Sequence, residues 1–232
     1  MSLVAAGASR KGEKRKQNED AWRIYLDQPH VERAGRGSLF VVSDGVGGTG
    51  SGKAASWMVV DSLLFYFTAP ADPFEPGPLL QQVLKRTTEN LCQLAATDKA
   101  YTMAGATLAL IGVLPGERRG YWLSIGDSPI YLERQGIFHR LNPDHRDARG
   151  KVTSYVGMPG HVQVATRPMR IDPGDRFLLC SDGVREMLPE ATIRTVLCDG
   201  DDIQAIADTI VLLAESAGGD DNATAVVLHV TP

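Results

Sequence analysis

Aspartates that adjoin apolar runs are the residues of this sequence best suited to chemistry. In three segments an apolar run ends in a small residue, an aspartate and another small residue; these are residues 39–45 with Asp44, 122–128 with Asp127, and 177–183 with Asp182. A fourth segment, 218–222, places Asp221 just before an apolar run. One Asp-Gly pair usually marks a turn, but four such sites at strand ends can converge on one rim. Clustered carboxylates repel one another unless protons or cations neutralise them.

The residue types in these segments favour a hard divalent cation. Carboxylate and carbonyl oxygens suit Mg2+ or Mn2+, whereas Zn2+ prefers histidine and thiolate ligands that this pattern does not supply. Two such ions roughly 3.5–4 Å apart would activate a bridging water and clamp a phosphoryl group or a related oxyanion.

Strand-like runs dominate the elements that must position these aspartates. The predicted strands are residues 3–9, 21–26, 39–43, 107–113, 121–125, 130–133, 162–166, 177–180 and 224–230. Helical spacing of apolar residues predicts helices at 53–67, 79–96, 189–197 and 203–217. Many antiparallel strands with two long helices predict an α+β fold: a four-layer α-β-β-α sandwich with two central antiparallel sheets flanked by helices. No boundary interrupts the pattern, so residues 1–232 are expected to form one domain.

Charge narrows the classes of partner. A formal net charge of −4 over 232 residues argues against nucleic acid, because binding to a phosphate backbone requires a basic face. Residues 10–16 form a local cationic run, which is either a solvated loop or an anion-binding loop.

Apolar runs and cysteines bear on where the protein works. No run approaches the roughly 20 apolar residues of a membrane helix, and residues 3–8 are too short for a signal peptide. Cys92, Cys180 and Cys198 have no metal-ligand spacing, which favours reduced thiols. We therefore expect a cytoplasmic protein without membrane insertion.

Six short motifs follow one another along nearly the whole chain: residues 15–21, 42–48, 105–108, 125–128, 180–184 and 220–224. Together and in this order they resemble the motifs of the type-2C metal-dependent protein phosphatases, best those of the bacterial branch. The resemblance implies a central pair of antiparallel sheets with helices packed outside. It also implies hydrolysis of phosphoserine and phosphothreonine on proteins, by direct attack of a metal-activated water and without a phosphoenzyme.

The resemblance implies which residues hold metal ions. Asp44 would bridge two Mn2+ or Mg2+ ions, and the carbonyl of Gly45 would bind one of them. Asp182 and Asp221 would complete the other site. Asp127, together with Asp182, matches the pair that holds a third, weaker ion in bacterial members.

Four further positions match residues with other roles. Glu19 and Asp20 match an acidic pair that reaches the metals largely through ordered water. Arg15 would pair with the substrate phosphate, because a planar guanidinium can bind a phosphate dianion through two hydrogen bonds. Asn222 would be a supporting residue.

Three features depart from the family pattern. Val46 stands where some members, chiefly eukaryotic, carry a histidine proposed as general acid, so the leaving alkoxide needs another proton source. Pro129 stands in place of the usual arginine near the rim. Segments 144–145 and 152–157 resemble the two sides of a mobile flap with few residues between them, which predicts a short flap around 142–160.

Other functions are weaker alternatives. Residues 47–54 nearly form a nucleotide-binding P-loop, but Ala54 stands where the motif needs serine or threonine. Only four residues separate Cys180 from Arg185, whereas a cysteine-phosphatase loop needs five. An alternative of another class is a catalytically inactive relative that acts as a binding or sensing module, which the full acidic set disfavours.

The resemblance also suggests partners. Phosphorylated serine/threonine proteins are the expected substrates. Stand-alone bacterial relatives commonly reverse a Hanks-type kinase, including kinases that switch type VI secretion, and both settings fit this sequence. A monomer is the default state of the family.

Overall fold

The computed structural model describes residues 1–27, 35–46, 51–69, 75–116, 118–160 and 164–232. The described strands are β1 (Ser2–Arg10), β2 (Ala21–Tyr25), β3 (Ser38–Ser43), β4 (Gly45–Val46), β5 (Gly105–Ala106), β6 (Leu108–Val113), β7 (Arg119–Ile125), β8 (Ile130–Arg134), β9 (Ile137–Arg140), β10 (Arg167–Arg170), β11 (Arg176–Cys180) and β12 (Ala223–Thr231). The described α-helices are α1 (Ser51–Ser62), α2 (Leu64–Thr68), α3 (Pro76–Thr97), α4 (Asp182–Met187), α5 (Glu190–Leu197) and α6 (Ile203–Ser216), and a short 3-10 helix spans Lys99–Tyr101. None of these helices is both long and apolar enough to cross a membrane.

Two five-stranded antiparallel sheets form the centre of the fold. The strand order is β1-β12-β11-β8-β9 in one sheet and β10-β7-β6-β3-β2 in the other, while β4 and β5 form a separate small pair. Helices α1 and α3 pack on the outer face of the second sheet, and α4 to α6 pack on the outer face of the first. The prediction of an α+β fold with two antiparallel sheets flanked by helices is confirmed.

Strand β3 shows why the sequence stacks in these layers. Successive side chains of a strand point to opposite faces. Phe40 and Val42 contribute to the core between the two sheets, whereas Leu39 and Val41 belong to the core beneath α1 and α3. All four side chains are fully buried. A strand covered on both faces therefore needs apolar residues at every position, and β3 ends directly at Ser43 and Asp44.

The helix predicted at 53–67 is two helices in the structure. The backbone tightens at the junction, where Leu63 N–H bonds to the Val60 carbonyl and Tyr66 N–H bonds to the Leu63 carbonyl, at 3.2 and 3.0 Å. The break turns both Leu63 and Tyr66 into the core. Tyr66 also accepts a hydrogen bond of 2.8 Å from the Tyr121 hydroxyl on β7. The spacing of apolar residues along one helix does not report such a contact with a distant strand.

Two other local predictions need correction. The strand predicted at 162–166 is wrong for 164–166, and 162–163 lie outside the described residues; the strand here is β10, which pairs with the first half of β7. Helix α4 was not predicted and begins at Asp182 itself. The Ser-Asp-Gly sequence resembles a turn, yet it opens a helix here. Its glycine is needed for packing, because an added Cβ on Gly183 would be 2.1 Å from the carbonyl oxygen of Asn222, the residue before β12.

Candidate functional site

The ends of several strands line one cavity of about 200 Å3. Its lining residues are Arg15, Glu19, Asp44, Gly45, Val46, Thr107, Asp127, Val152, Asp182, Asp221 and Asn222. The cavity thus brings together every site residue predicted from the sequence except Asp20, which is buried beside it.

Asp44 is positioned by the backbone that follows β3. Its N–H donates to the Thr107 hydroxyl at 3.0 Å, and its carbonyl accepts from the Thr107 N–H at 2.8 Å. The Thr107 hydroxyl also lies 2.6 Å from that of Ser128. This chain of hydrogen bonds connects Asp44 with the turn that carries Asp127, so the two carboxylates keep a defined relation to each other.

Gly45, the next residue, requires the absence of a side chain. A Cβ at this position would lie 2.3 Å from the Gly52 carbonyl oxygen and 2.8 Å from that of Glu19. The glycine therefore lets the start of α1 and the Glu19 segment approach the backbone beside Asp44.

Asp182 and Asp221 are brought together by the pairing of β11 with β12. Ser181 N–H donates to the Thr224 carbonyl, and Thr224 N–H donates to the Ser181 hydroxyl, each at 3.0 Å. The first strand ends where the second begins, so antiparallel pairing places an aspartate from each at the same edge of the sheet.

Asn222 fastens the cationic loop to this edge. Its side chain accepts from the Glu19 N–H at 2.8 Å and donates to the carbonyls of Lys11 and Gln17 at 2.7 and 3.0 Å. The residue is buried. Its side chain therefore holds the backbone on both sides of Arg15, as expected of a supporting residue.

Asp20 is a buried carboxylate with an incomplete set of partners. Oδ2 accepts a hydrogen bond of 2.6 Å from the Thr224 hydroxyl, whereas Oδ1 has no hydrogen-bond partner among the described residues. Burial is the main cause that raises the pKa of Asp20 to about 7, and the nearby Asp182 and Asp221 carboxylates add to it. An anionic Asp20 therefore calls for a cation or an ordered water at Oδ1.

Burial and mutual repulsion also raise the pKa values of Asp44 and Asp182. The pKa of Asp44 lies well above its ordinary value, first because of burial and then because of Asp182 and Asp20. Burial, followed by the charge of Asp127, raises the pKa of Asp182 to about 6. A divalent cation bound among these carboxylates would relieve the same repulsion.

Two arginines form ion pairs with three carboxylates of the cavity. Arg15 forms an ion pair with Asp221. Arg146 forms ion pairs with Asp127 and Asp182. Arg146 was not among the site residues predicted from the sequence. It could have been found from its position, because it directly follows the Asp144-His145 pair that resembles one side of the flap.

The donor set fits a hard divalent cation in its chemistry. As it stands, no group of three or more His, Cys, Asp or Glu side chains in the described part of the chain is arranged to hold a metal ion. Arg15 and Arg146 instead hold oxygens of Asp221, Asp127 and Asp182 in ion pairs. The unpartnered Oδ1 of Asp20 and the raised carboxyl pKa values mark a site with excess negative charge.

The residues behind the alternative functions have structural explanations. Lys53 and Ala54 lie inside α1, while residues 47–50 of the P-loop-like segment fall outside the described residues. Cys180 is fully buried in β11, and burial raises the pKa of its thiol. An un-ionised buried thiol is a poor nucleophile, which disfavours a cysteine-based mechanism.

Comparison with known proteins gives the family. The pattern of the family Protein phosphatase 2C matches residues 7–213. Protein phosphatase PhpP of Streptococcus pneumoniae is 27% identical over 240 residues, covering 94% of this chain and 94% of its own length. The chain belongs to the protein phosphatase 2C family, and within it to the bacterial serine/threonine phosphatases.

Solved structures agree with this assignment. The structure of PppA, described as a key regulatory component of T6SS in Pseudomonas aeruginosa, superposes with a TM-score of 0.84 at 31% identity, covering 99% of this chain and 98% of PppA. The catalytic domain of the phosphatase PstP, in complex with two manganese ions, has a TM-score of 0.83 at 25% identity, with 99% of each chain covered.

Proposed function

We propose that this phosphatase hydrolyses phosphoserine and phosphothreonine on proteins at a centre of two Mn2+ or Mg2+ ions. The observation that carries the proposal is the set of crowded carboxylates with raised pKa values around one cavity, with Arg15 at its rim. The PstP domain with two manganese ions supports it as a relative. The complete acidic set disfavours the alternative of an inactive binding module.

Asp44, Asp182 and Asp221, with the carbonyl of Gly45, would hold the two ions. Such ions, when bound, supply an activated water and neutralise phosphoryl oxygens. Glu19 and Asp20 would orient ordered water behind these ligands. The site would fill when Asp221 leaves Arg15 and the cations displace protons from the crowded carboxyl groups.

Arg15 would bind the substrate phosphate. Its side chain is 46% exposed, so a phosphate on the surface of another protein can reach it. A guanidinium can offer two parallel N–H groups to phosphate oxygens. Release of Asp221 would therefore free the arginine for substrate and the carboxylate for metal in one step.

The leaving alkoxide would take its proton from water. Val46 lines the cavity and has no proton to give, and the described lining residues include no histidine, cysteine or lysine. Exposure of the cavity to solvent gives water access to the departing serine or threonine oxygen.

Turnover of p-nitrophenyl phosphate with and without manganese tests the proposal. We expect hydrolysis that requires Mn2+ or Mg2+, is lost with EDTA and returns when the ion is restored. A chain that binds manganese but shows no turnover from pH 6 to 9 would support the inactive binding module instead.

The physiological substrate would belong to a bacterial phosphorylation pathway. We propose reversal of a Hanks-type serine/threonine kinase, and the similarity to PppA makes a kinase that controls type VI secretion a specific case. Comparison of phosphoproteomes with and without the gene should show a small set of accumulated phosphoserine and phosphothreonine sites. An unchanged set would contradict this choice of pathway.

A further inference from the structure

Arg146 donates hydrogen bonds to three carboxylates at the side of the cavity, and a fourth carboxylate, that of Asp144, lies 4.0 Å away. Its Nε donates to Asp127, its Nη2 to Asp182, and its Nη1 to Glu186 at 2.6 Å. The Arg146 side chain is only 18% exposed and that of Asp127 only 1%. The three nitrogens of the guanidinium are therefore committed to these carboxylates in a position largely shielded from water.

The backbone that carries Arg146 is held next to the Asp127 turn. Arg146 forms a β-bridge with Val152, and Thr153 N–H donates to the His145 carbonyl at 2.8 Å. The Gly126 N–H donates to Nδ1 of His145 at 3.2 Å. The short segment 145–153 is thus a small hairpin anchored beside Asp127, and it delivers the guanidinium to a defined place.

We propose that Arg146 is the built-in third cation of this site, so that the chain loads two divalent ions and excludes a third from Asp127 and Asp182. The inference rests on the proposed metal centre. A third ion would need the same carboxylate oxygens that the guanidinium occupies through charge-assisted hydrogen bonds. It would also meet the repulsion of the arginine charge.

The covalent attachment of Arg146 to the hairpin favours the arginine over a third divalent ion at Asp127 and Asp182. A side chain on an anchored hairpin stays at high effective concentration beside its partners, whereas an ion must be drawn from solution. Oδ2 of Asp182 accepts a hydrogen bond from Nη2 of Arg146. Arg146 therefore also acts as a positioning residue, since it orients Asp182 toward the two-metal part of the cavity.

Manganese stoichiometry tests this role directly. Isothermal titration calorimetry of the full chain with Mn2+ gives the number of bound ions, and electron paramagnetic resonance of free Mn2+ measures that number independently. We expect two for the wild-type chain, and for Arg146→Ala a third that binds at least about tenfold more tightly than any third ion in the wild type. The added Asp127→Asn change should remove that third ion again.

Arg149→Ala is the matched control, because Arg149 lies in the same hairpin with an exposed side chain. It removes the same charge from the loop and should bind two ions. Arg146→Lys serves as the second variant in case Arg146→Ala does not fold. It keeps the charge but loses the planar fork, so its third-ion affinity should lie between those of wild type and Arg146→Ala.

The outcomes separate the two proposals. Three tight ions in the wild-type chain, or two in both Arg146→Ala and Arg146→Lys with unchanged affinities, would overturn the role of Arg146 alone. A wild-type chain that binds no manganese would overturn the metal centre on which that role depends.

Discussion

At the scale of single residues, desolvation raises the pKa values of the carboxylates at the proposed metal centre. A carboxylate removed from water favours its neutral form, and neighbouring carboxylates reinforce that effect. Asp20 and Asp182 have pKa values raised to about 7 and about 6. Near neutral pH Asp182 is therefore largely ionised, whereas Asp20 is close to the midpoint of its titration. A divalent cation can then replace the protons without a large cost in deprotonation.

Asp44→Ala and Asp182→Ala should each abolish turnover while the fold persists. Metal-assisted charge stabilisation supplies several kcal/mol, so loss of one ligand is expected to lower kcat/KM by about 10^3-fold or more. Steady-state kinetics with p-nitrophenyl phosphate and saturating Mn2+ measures this. Asp208→Ala, on the exposed side of α6, is the control; near-wild-type activity in either site variant would refute the metal assignment.

At the scale of elements, hydrogen bonds anchor the loop between β1 and β2 to the segment that precedes β12. The N–H groups of Glu13 and Lys14 donate to the Gly219 carbonyl at 2.8 and 3.2 Å. Gly12, at φ 74°, lies so close that a Cβ would be 2.3 Å from the Asp221 carbonyl oxygen. The loop with Arg15 and the segment with Asp221 therefore form one unit.

Asn222→Ala should loosen this unit without disrupting the sheets. The buried N–H of Glu19 and the partly buried carbonyls of Lys11 and Gln17 would lose their partner, at a cost of about 1–3 kcal/mol for a buried unsatisfied group. We expect a lower Tm, faster hydrogen exchange over residues 11–19 and a raised KM for substrate, because Arg15 is less well positioned. Asn90→Ala, exposed on α3, should change none of these. Unchanged exchange in the loop would show that Asn222 is not its anchor.

At the scale of the whole molecule, the crowded site opposes folding when its carboxylates ionise. In the unfolded chain these aspartates titrate near pH 3.9, whereas Asp20 and Asp182 titrate at about 7 and about 6 when folded. Between these values the folded state binds more protons than the unfolded state. The free energy of unfolding therefore falls as pH rises from about 4 through 7.

The metal-free protein should consequently melt at a lower temperature at pH 8 than at pH 5.5. We expect a difference of roughly 5 °C, and a larger stabilisation by Mn2+ at pH 8, where fewer protons on Asp20 and Asp182 compete with it. Differential scanning fluorimetry in EDTA and in Mn2+ measures both effects. Asp20→Asn should flatten the pH dependence; an equal slope in this variant would exclude Asp20 as its source.

Much of the fold followed from local patterns, because each pattern needs only neighbours in the chain. Uninterrupted apolar runs such as 39–42 identified strands buried on both faces. The spacing in 79–96 identified the long helix, observed at Pro76–Thr97. The break at Leu63 could not be predicted in this way, since it depends on the packing of Tyr66 against Tyr121.

The sequence by itself determined which carboxylates stand at strand ends, the family, and the class of reaction. Only the tertiary structure decided what surrounds them: the unpartnered Oδ1 of Asp20, the three bonds of Asn222 to a loop more than 200 residues away, and the entry of Arg146 between Asp127 and Asp182. The physical reason is that residue type and spacing report short-range preferences. The charge balance of a buried site depends on groups that meet only when distant strands pair.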